Sequence, residues 1–525
     1  DVFPSPALFL SVHGAAVEAI NQSGSYKAKS WGHIVSPTNR RPYGFNWEDW
    51  GRIDALEVLD IAQNTLDIDP DRVYLTGHSM GGHGTWHLGA LYPDRFAALG
   101  PSAGWISFWS YRPSHEIAAD TPLAKMIVRA TLPSRTFELV RNYKEHGIYI
   151  LHGADDDNVP ADQSRQIVER LQAFHKDFIY HEETGAGHWW DKNDEDGADC
   201  VDWYAMFDFF ARHARSGKER VVHVEFVTPN PGIAAWHHWL CIEAQTRQLE
   251  MSAADIRLDR GKQRFIGRTE NVARLTIDVS HIAAADSIVI ELDGQKLSVV
   301  AYPSLPHRLT LYRDNGLWRT GAAVPASHKG PLRYGTFKDV FKNRVVFVYG
   351  SKGTEDENAW AFAKARYDAE TFWYQGNGSI EVMPDVDFDP SKDPDRNVVL
   401  YGNERTNAAW HALLAGSPVQ IRTEEVCIGK KKLTGKDLGV LLIRPRPGSD
   451  TACVGAVGGT GIAGMRLTDR RPYLHPGFAY PDLIVFSAGK VEQGGDAVSA
   501  AGFFGLDWSV EKGEFVWDES GANGQ

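Results

Sequence analysis

The 525-residue chain is too long for one ordinary domain, and its length predicts roughly two to four. With 43% hydrophobic and 23% charged residues it has a globular composition, and its net charge of −13 argues against nucleic acid or an anionic membrane as partner. No apolar run approaches the roughly 18 residues a membrane span needs. Its four cysteines lack Cys-x-x-Cys spacing, which suggests neither a metal knuckle nor a disulfide scaffold but leaves room for two bridges.

Residues 1–215 alternate short apolar runs with helical patterns, the signature of a parallel α/β sheet. Strands are predicted at 7–12, 31–36, 72–77, 96–101, 147–152 and 177–182, with amphipathic helices at 48–66, 161–175 and 202–214. The chain enters almost at once on a buried-looking run ending in His13-Gly14, without an initiator Met or a signal stretch. The expectation is a mature or truncated product whose sheet has further strands upstream, with a secreted or periplasmic location slightly favoured. Segment 105–143, bearing Trp105, Phe108, Trp109 and Tyr111, interrupts the alternation. It reads either as an insertion capping a pocket or as a surface excursion packed on the core.

From about 216 to 325 the pattern becomes short alternating strands, among them 221–227, 274–279, 287–292 and, after Asp293-Gly294, 296–300. Period-two alternation with regular turn signals predicts an Ig-like β-sandwich serving as a packing or spacing module. Beyond a Pro/Gly linker, residues 326–525 return to an α/β, Rossmann-like rhythm, with strands at 344–349, 398–401, 439–443, 454–457 and 483–486 and a helix at 357–374. Gly459-Thr-Gly461-Ile-Ala-Gly464 is formally a dinucleotide fingerprint, but Asp482 precedes its strand instead of ending it. No cofactor and no metal are therefore expected.

The strongest local signal is Gly77-His78-Ser79-Met80-Gly81-Gly82 between a β-like run and a helix-like one. A strand-to-helix turn this tight tolerates no bulk beside the serine, which makes it a nucleophile elbow with Ser79 at its tip. Such a fold places an acid and then a histidine downstream. The run His152-Gly153-Ala154-Asp155-Asp156-Asp157-Asn158-Val159 follows the fifth predicted strand, and Gly185-Ala186-Gly187-His188 follows the sixth. A histidine on a glycine loop past a strand can swing over the sheet edge to the serine. Spacing alone leaves Asp155, Asp156 and Asp157 open as the acid. Backbone N–H groups of Met80 and, after His13-Gly14, Ala15 are the candidate oxyanion donors. Trp189 is a candidate pocket wall and Trp105 a second aromatic candidate for substrate contact.

These motifs resemble the catalytic domain of the prolyl oligopeptidase family. The run Ser79–Trp86 with Tyr92-Pro93-Asp94-Arg95-Phe96 is similar to related bacterial "predicted peptidase" esterases. The resemblance covers residues 1–215 and implies an α/β-hydrolase domain with a Ser79–Asp156–His188 triad. The family's acid is the first Asp of Asp-Asp-(Asn/Arg)-Val, and Asn158 would touch the substrate carbonyl. No β-propeller precedes the domain, and no tyrosine follows His13-Gly14 as side-chain oxyanion donor. These departures favour a carboxylic-ester hydrolase, with decorated carbohydrate one candidate substrate. The alternatives are a peptidase of that family and a non-catalytic binding or scaffold protein. A final expectation concerns echoes of the elbow region around Val457–Gly461, Tyr480-Pro481-Asp482 and Ser487-Ala488-Gly489. They raise a degenerate, non-catalytic hydrolase-like copy over 331–525, with Thr460 in the place of Ser79.

Overall fold

The computed structural model describes residues 5–111, 119–284, 287–297, 300–321, 325–469, 471–488 and 497–518. Six parallel strands form the first sheet: β1 (Ala7–Val12), β2 (Gly32–Val35), β3 (Val73–His78), β4 (Ala98–Ser102), β5 (Gly147–Gly153) and β6 (Phe178–Glu183). Their order is β2-β1-β3-β4-β5-β6. Strands β1, β3, β4 and β5 are buried along their whole length, as near-continuous apolar runs in a sheet covered on both faces must be. On one face Leu8, Leu10, Leu75 and Leu99 join Trp47, Leu59 and Trp86. On the other, Phe9 and Tyr74 pack against Phe207 and Phe210 of the helix Tyr204–Phe210.

The sandwich follows as two sheets. One has the order 295–296, 287–292, 264–270, 252–259, 223–228; the other runs 317–320, 308–314, 272–278, 240–245, 236–237. Ile256, Phe265 and Ile290 of the first sheet share a core with Ile242, Leu275 and Leu311 of the second. The predicted return strand 296–300 is broken into Gln295–Lys296 and Val300–Ala301, and Ser298 and Val299 lie outside the described residues.

The third sheet has eight strands in the order Glu381–Pro384, Val346–Tyr349, Val398–Tyr401, Cys453–Gly459, Leu438–Pro445, Leu483–Ser487, Val498–Phe503, Glu514–Trp517. The first four are parallel, and every later neighbour pair is antiparallel. This corrects the expected match of Thr460 with Ser79. Ser79 follows β3, third from the edge strand β2, whereas Thr460 follows Cys453–Gly459, fourth from the edge. The strand third from the edge is Val398–Tyr401. Thr460 is fully buried, and its hydroxyl accepts the Leu438 N–H at 3.2 Å, so it holds the antiparallel strand beside it. Of the third echo, Gly489 lies outside the described residues. The glycines of the formal fingerprint serve packing: a Cβ on Gly464 would stand 2.2 Å from the Leu438 carbonyl oxygen. Asp482 is a buried partner of Lys329, at 2.5 Å.

Outside residues 112–118, which are not described, segment 105–143 is a strut between regions. Its helix Pro122–Ala130 sends Arg129 to Glu514 of the last strand, 2.8 Å away. Phe45 and Trp50 of the first region pack on Phe372 of the third, the rings of Trp50 and Phe372 crossing at 90° with centroids 5.1 Å apart. No cysteine is paired; Cys200, Cys241 and Cys453 are buried.

Candidate active site

Strand β3 runs straight into the helix Met80–Leu91 through Ser79, whose backbone stands at φ 60°, ψ −119°. A non-glycine residue held there costs about 1–3 kcal/mol and persists only when its surroundings enforce it. Here they do. A Cβ on Gly81 would lie 1.9 Å from the Val12 carbonyl oxygen, and one on Gly77 would lie 2.4 Å from the same atom. Both contacts are with the backbone of β1, which cannot yield without losing its ladder. Gly81→Ala is therefore expected to destabilise the first domain by about 3 kcal/mol or more, read as an earlier transition in a thermal melt. A melt superimposable on the wild type would contradict this account of the elbow.

At the elbow, the Ser79 hydroxyl donates to His188 Nε2 at 2.9 Å, and His188 Nδ1 lies 2.8 Å from Asp156 Oδ2. The histidine comes from the loop after β6 and the carboxylate from the loop after β5, so three segments meet at the carboxyl ends of the strands. Of the three adjacent aspartates, Asp156 is buried while Asp155 and Asp157 are exposed. The loop decides this, because Asp156 Oδ1 accepts the N–H groups of Asn158 and Val159 at 2.9 and 2.8 Å. Burial by itself would raise the pKa of Asp156. The bonds from His152, His188 and the Val159 N–H outweigh it and hold the carboxyl well below the usual range. The acid is thus ionised at any working pH.

The other predicted residues fall as follows. Met80 is the first residue of its helix, so its N–H stands outside the helical ladder. The His13–Ala15 turn lies beside the serine: a Cβ on Gly14 would be 3.6 Å from Ser79 Cβ. Trp189 is 55% exposed, its ring 5.3 Å from that of His78. Trp105 is instead buried, stacked between His83 at 5.1 Å and Tyr111 at 4.8 Å. Asn158 is exposed, and its carbonyl accepts the Tyr111 hydroxyl at 3.1 Å.

Three supporting residues escaped the sequence reading. His78, the variable residue inside Gly-x-Ser-x-Gly, donates from Nε2 to the His188 carbonyl at 2.8 Å and so ties the histidine loop to the elbow. Burial, with His188 alongside, pushes its pKa down to about 3, so it is a neutral brace. His152 closes the acid loop: its Nε2 donates to the Val159 carbonyl at 2.8 Å and stands 3.3 Å from Asp156 Oδ2. Both lie inside motifs the sequence displays, so their positions were available and their roles were not. The third, Glu48, reaches His83 at 3.2 Å and also bonds Ser134; nothing local in the sequence links these three.

Strand order, elbow and serine define the class of the first domain: an α/β-hydrolase fold of the serine-hydrolase type. Within it, residues 35–217 match the prolyl oligopeptidase family. An uncharacterized secreted protein of Arthroderma benhamiae is 25% identical over 542 residues, 97% of this chain and 56% of its own length. Poly(3-hydroxyalkanoate) depolymerase C of Paucimonas lemoignei is 28% identical over 194 residues, 32% of this chain and 45% of its own. The bifunctional acetylxylan esterase/xylanase of Neocallimastix patriciarum is 30% identical over 108 residues, covering 19% of this chain and 16% of its own. The chain thus spans about half the length, or less, of the curated relatives it matches. Among solved structures, the acylaminoacyl peptidase of Pyrococcus horikoshii is 16% identical with a TM-score of 0.31, covering 41% of this chain and 38% of that one.

Proposed function

We propose that this protein hydrolyses carboxylic esters through an acyl-enzyme formed on Ser79. The observation that carries the proposal is the continuous path from the Ser79 hydroxyl through His188 to a buried, ionised Asp156. His188 Nε2 takes the proton as Ser79 Oγ attacks the acyl carbon. Asp156 fixes the tautomer that leaves Nε2 free to accept, and stabilises the imidazolium that results. The N–H groups of Met80 and Ala15 receive the oxyanion. His188 then protonates the departing alcohol, and a water activated by the same nitrogen clears the acyl group and regenerates the serine.

Two relatives support an ester over an amide by their names, one a poly(3-hydroxyalkanoate) depolymerase and one an acetylxylan esterase. The exposed Trp189 beside the reacting histidine offers an apolar wall to a sugar, acyl or aryl group, which suits a decorated carbohydrate. The match of residues 35–217 favours a second reading, a serine peptidase of the prolyl oligopeptidase family. Initial rates on p-nitrophenyl acyl esters and on a proline-containing peptide anilide separate the two. Ester turnover with the anilide intact is expected; the reverse preference would replace the first reading by the second. A relative described as secreted supports export of this protein as well.

A further inference from the structure

We infer that Glu145, His237 and His238 form a divalent transition-metal site, fitted to zinc, that pins the β-sandwich to the hydrolase domain. The three come from both sides of that junction. Glu145 ends the 3₁₀ segment Thr136–Glu145 just ahead of β5, and the histidines lie on the tight hairpin between Trp236–His237 and Leu240–Gln245. Successive side chains of a strand point to opposite faces, so adjacent histidines do not ordinarily converge. Here His238 adopts φ 51°, which turns its ring back, and both Nε2 atoms face one carboxylate oxygen.

The three donor atoms are close enough for one ion to reach them all, although His238 Nε2 and Glu145 Oε2 share a hydrogen bond without it. Glu145 Oε2 is 3.3 Å from His237 Nε2 and 2.9 Å from His238 Nε2, and all three donor atoms lie within 4.8 Å of one another. Tetrahedral zinc with bonds of about 2.0–2.1 Å to nitrogen and oxygen separates its ligand atoms by about 3.3 Å. Two imidazoles and a carboxylate are also the donor types zinc prefers.

His237 supplies the second, independent observation. Its side chain is 1% exposed, and neither ring nitrogen has a hydrogen bond, although Nε2 stands beside Glu145. A buried polar atom that makes no hydrogen bond costs up to about 1–3 kcal/mol. Nε2 has the Glu145 carboxylate 3.3 Å away but not in hydrogen-bond geometry, and a metal between them would use both atoms. The backbone N–H of His238 donates to Asp94 Oδ2 at 2.9 Å, which fixes the turn that carries the ring. A cavity of about 390 Å³ lined in part by Asp94, Glu145 and His238 leaves room for a water as fourth ligand. The site lies at the amino end of β5, roughly 20 Å of strand away from the acid loop at its other end. Its role is to join domains, because the ligands are divided between them.

The test uses the 525-residue chain stripped with a chelator and titrated with ZnCl₂ by calorimetry, with thermal melts in parallel. The wild type is expected to bind one zinc per chain and to melt at a higher temperature with it. Glu145→Gln and His238→Gln are each expected to weaken binding by more than about 100-fold, beyond the loss of an outer-shell partner. They should also abolish the thermal shift, while the exposed control His33→Gln should alter neither. Absence of stoichiometric binding, or binding that survives both substitutions, would overturn the proposal and leave the triplet as a hydrogen-bonded staple.

Discussion

Ser79→Ala is expected to abolish covalent labelling by a fluorophosphonate and to lower kcat on an ester substrate by about a millionfold, the size typical when a triad serine is lost. The fold should survive. The hydroxyl makes its bond to His188 and fills no space the core depends on, and alanine tolerates the elbow backbone no worse than serine. Circular dichroism and a melt close to wild type, with labelling gone, are the joint readout. Labelling that persists in the variant would place the nucleophile elsewhere and remove Ser79 from the mechanism.

Asp156→Asn is the second large effect, a fall in kcat of about ten-thousandfold or roughly 5.5 kcal/mol. The amide preserves the shape of the loop but can offer His188 a donor where it needs an acceptor, which favours the wrong tautomer. Asp155→Asn and Asp157→Asn should leave kcat near the wild-type value, because both side chains are exposed. Equal losses in the three variants would contradict the assignment of a single orienting carboxylate. The same residue links stability to pH. Its pKa is depressed in the folded state, so its contribution is fully present above the unfolded carboxylate's pKa and is lost as pH falls through the lower folded value. Asp156→Asn should therefore narrow the stability difference between neutral and strongly acidic pH, as measured by denaturant midpoints.

Much of the first domain was legible from residues alone because its signals are local. Strand β1 begins and ends where its apolar run does, and the elbow is written in five consecutive residues whose glycines answer to the carbonyl of Val12. The order serine, acid, histidine follows from the winding of the sheet, so His188 could be chosen from 20 histidines by its glycine loop and its place after β6. The choice of Asp156 over its neighbours could not be made that way. It depends on two backbone N–H groups capturing one carboxylate oxygen, a matter of loop conformation that spacing does not encode. The short echoes around Thr460 show the opposite risk. A tripeptide carries no information about strand direction, and the antiparallel strand Leu438–Pro445 removes the elbow they suggested.

The sequence by itself determined the fold of the first region, the elbow serine and the histidine, because tight turns and covered parallel strands constrain neighbouring residues directly. Residue spacing left three aspartates open, and only the family resemblance pointed to Asp156. The tertiary structure puts Asp156 against His188, packs Trp105 away while Trp189 stays open, and braces the loops with His78 and His152. It also brought Glu145 to His237 and His238, some ninety positions apart, at the contact of two domains. Such pairings arise from packing between distant segments, and the energies that select them are sums over whole interfaces that leave no pattern in a short window of residues.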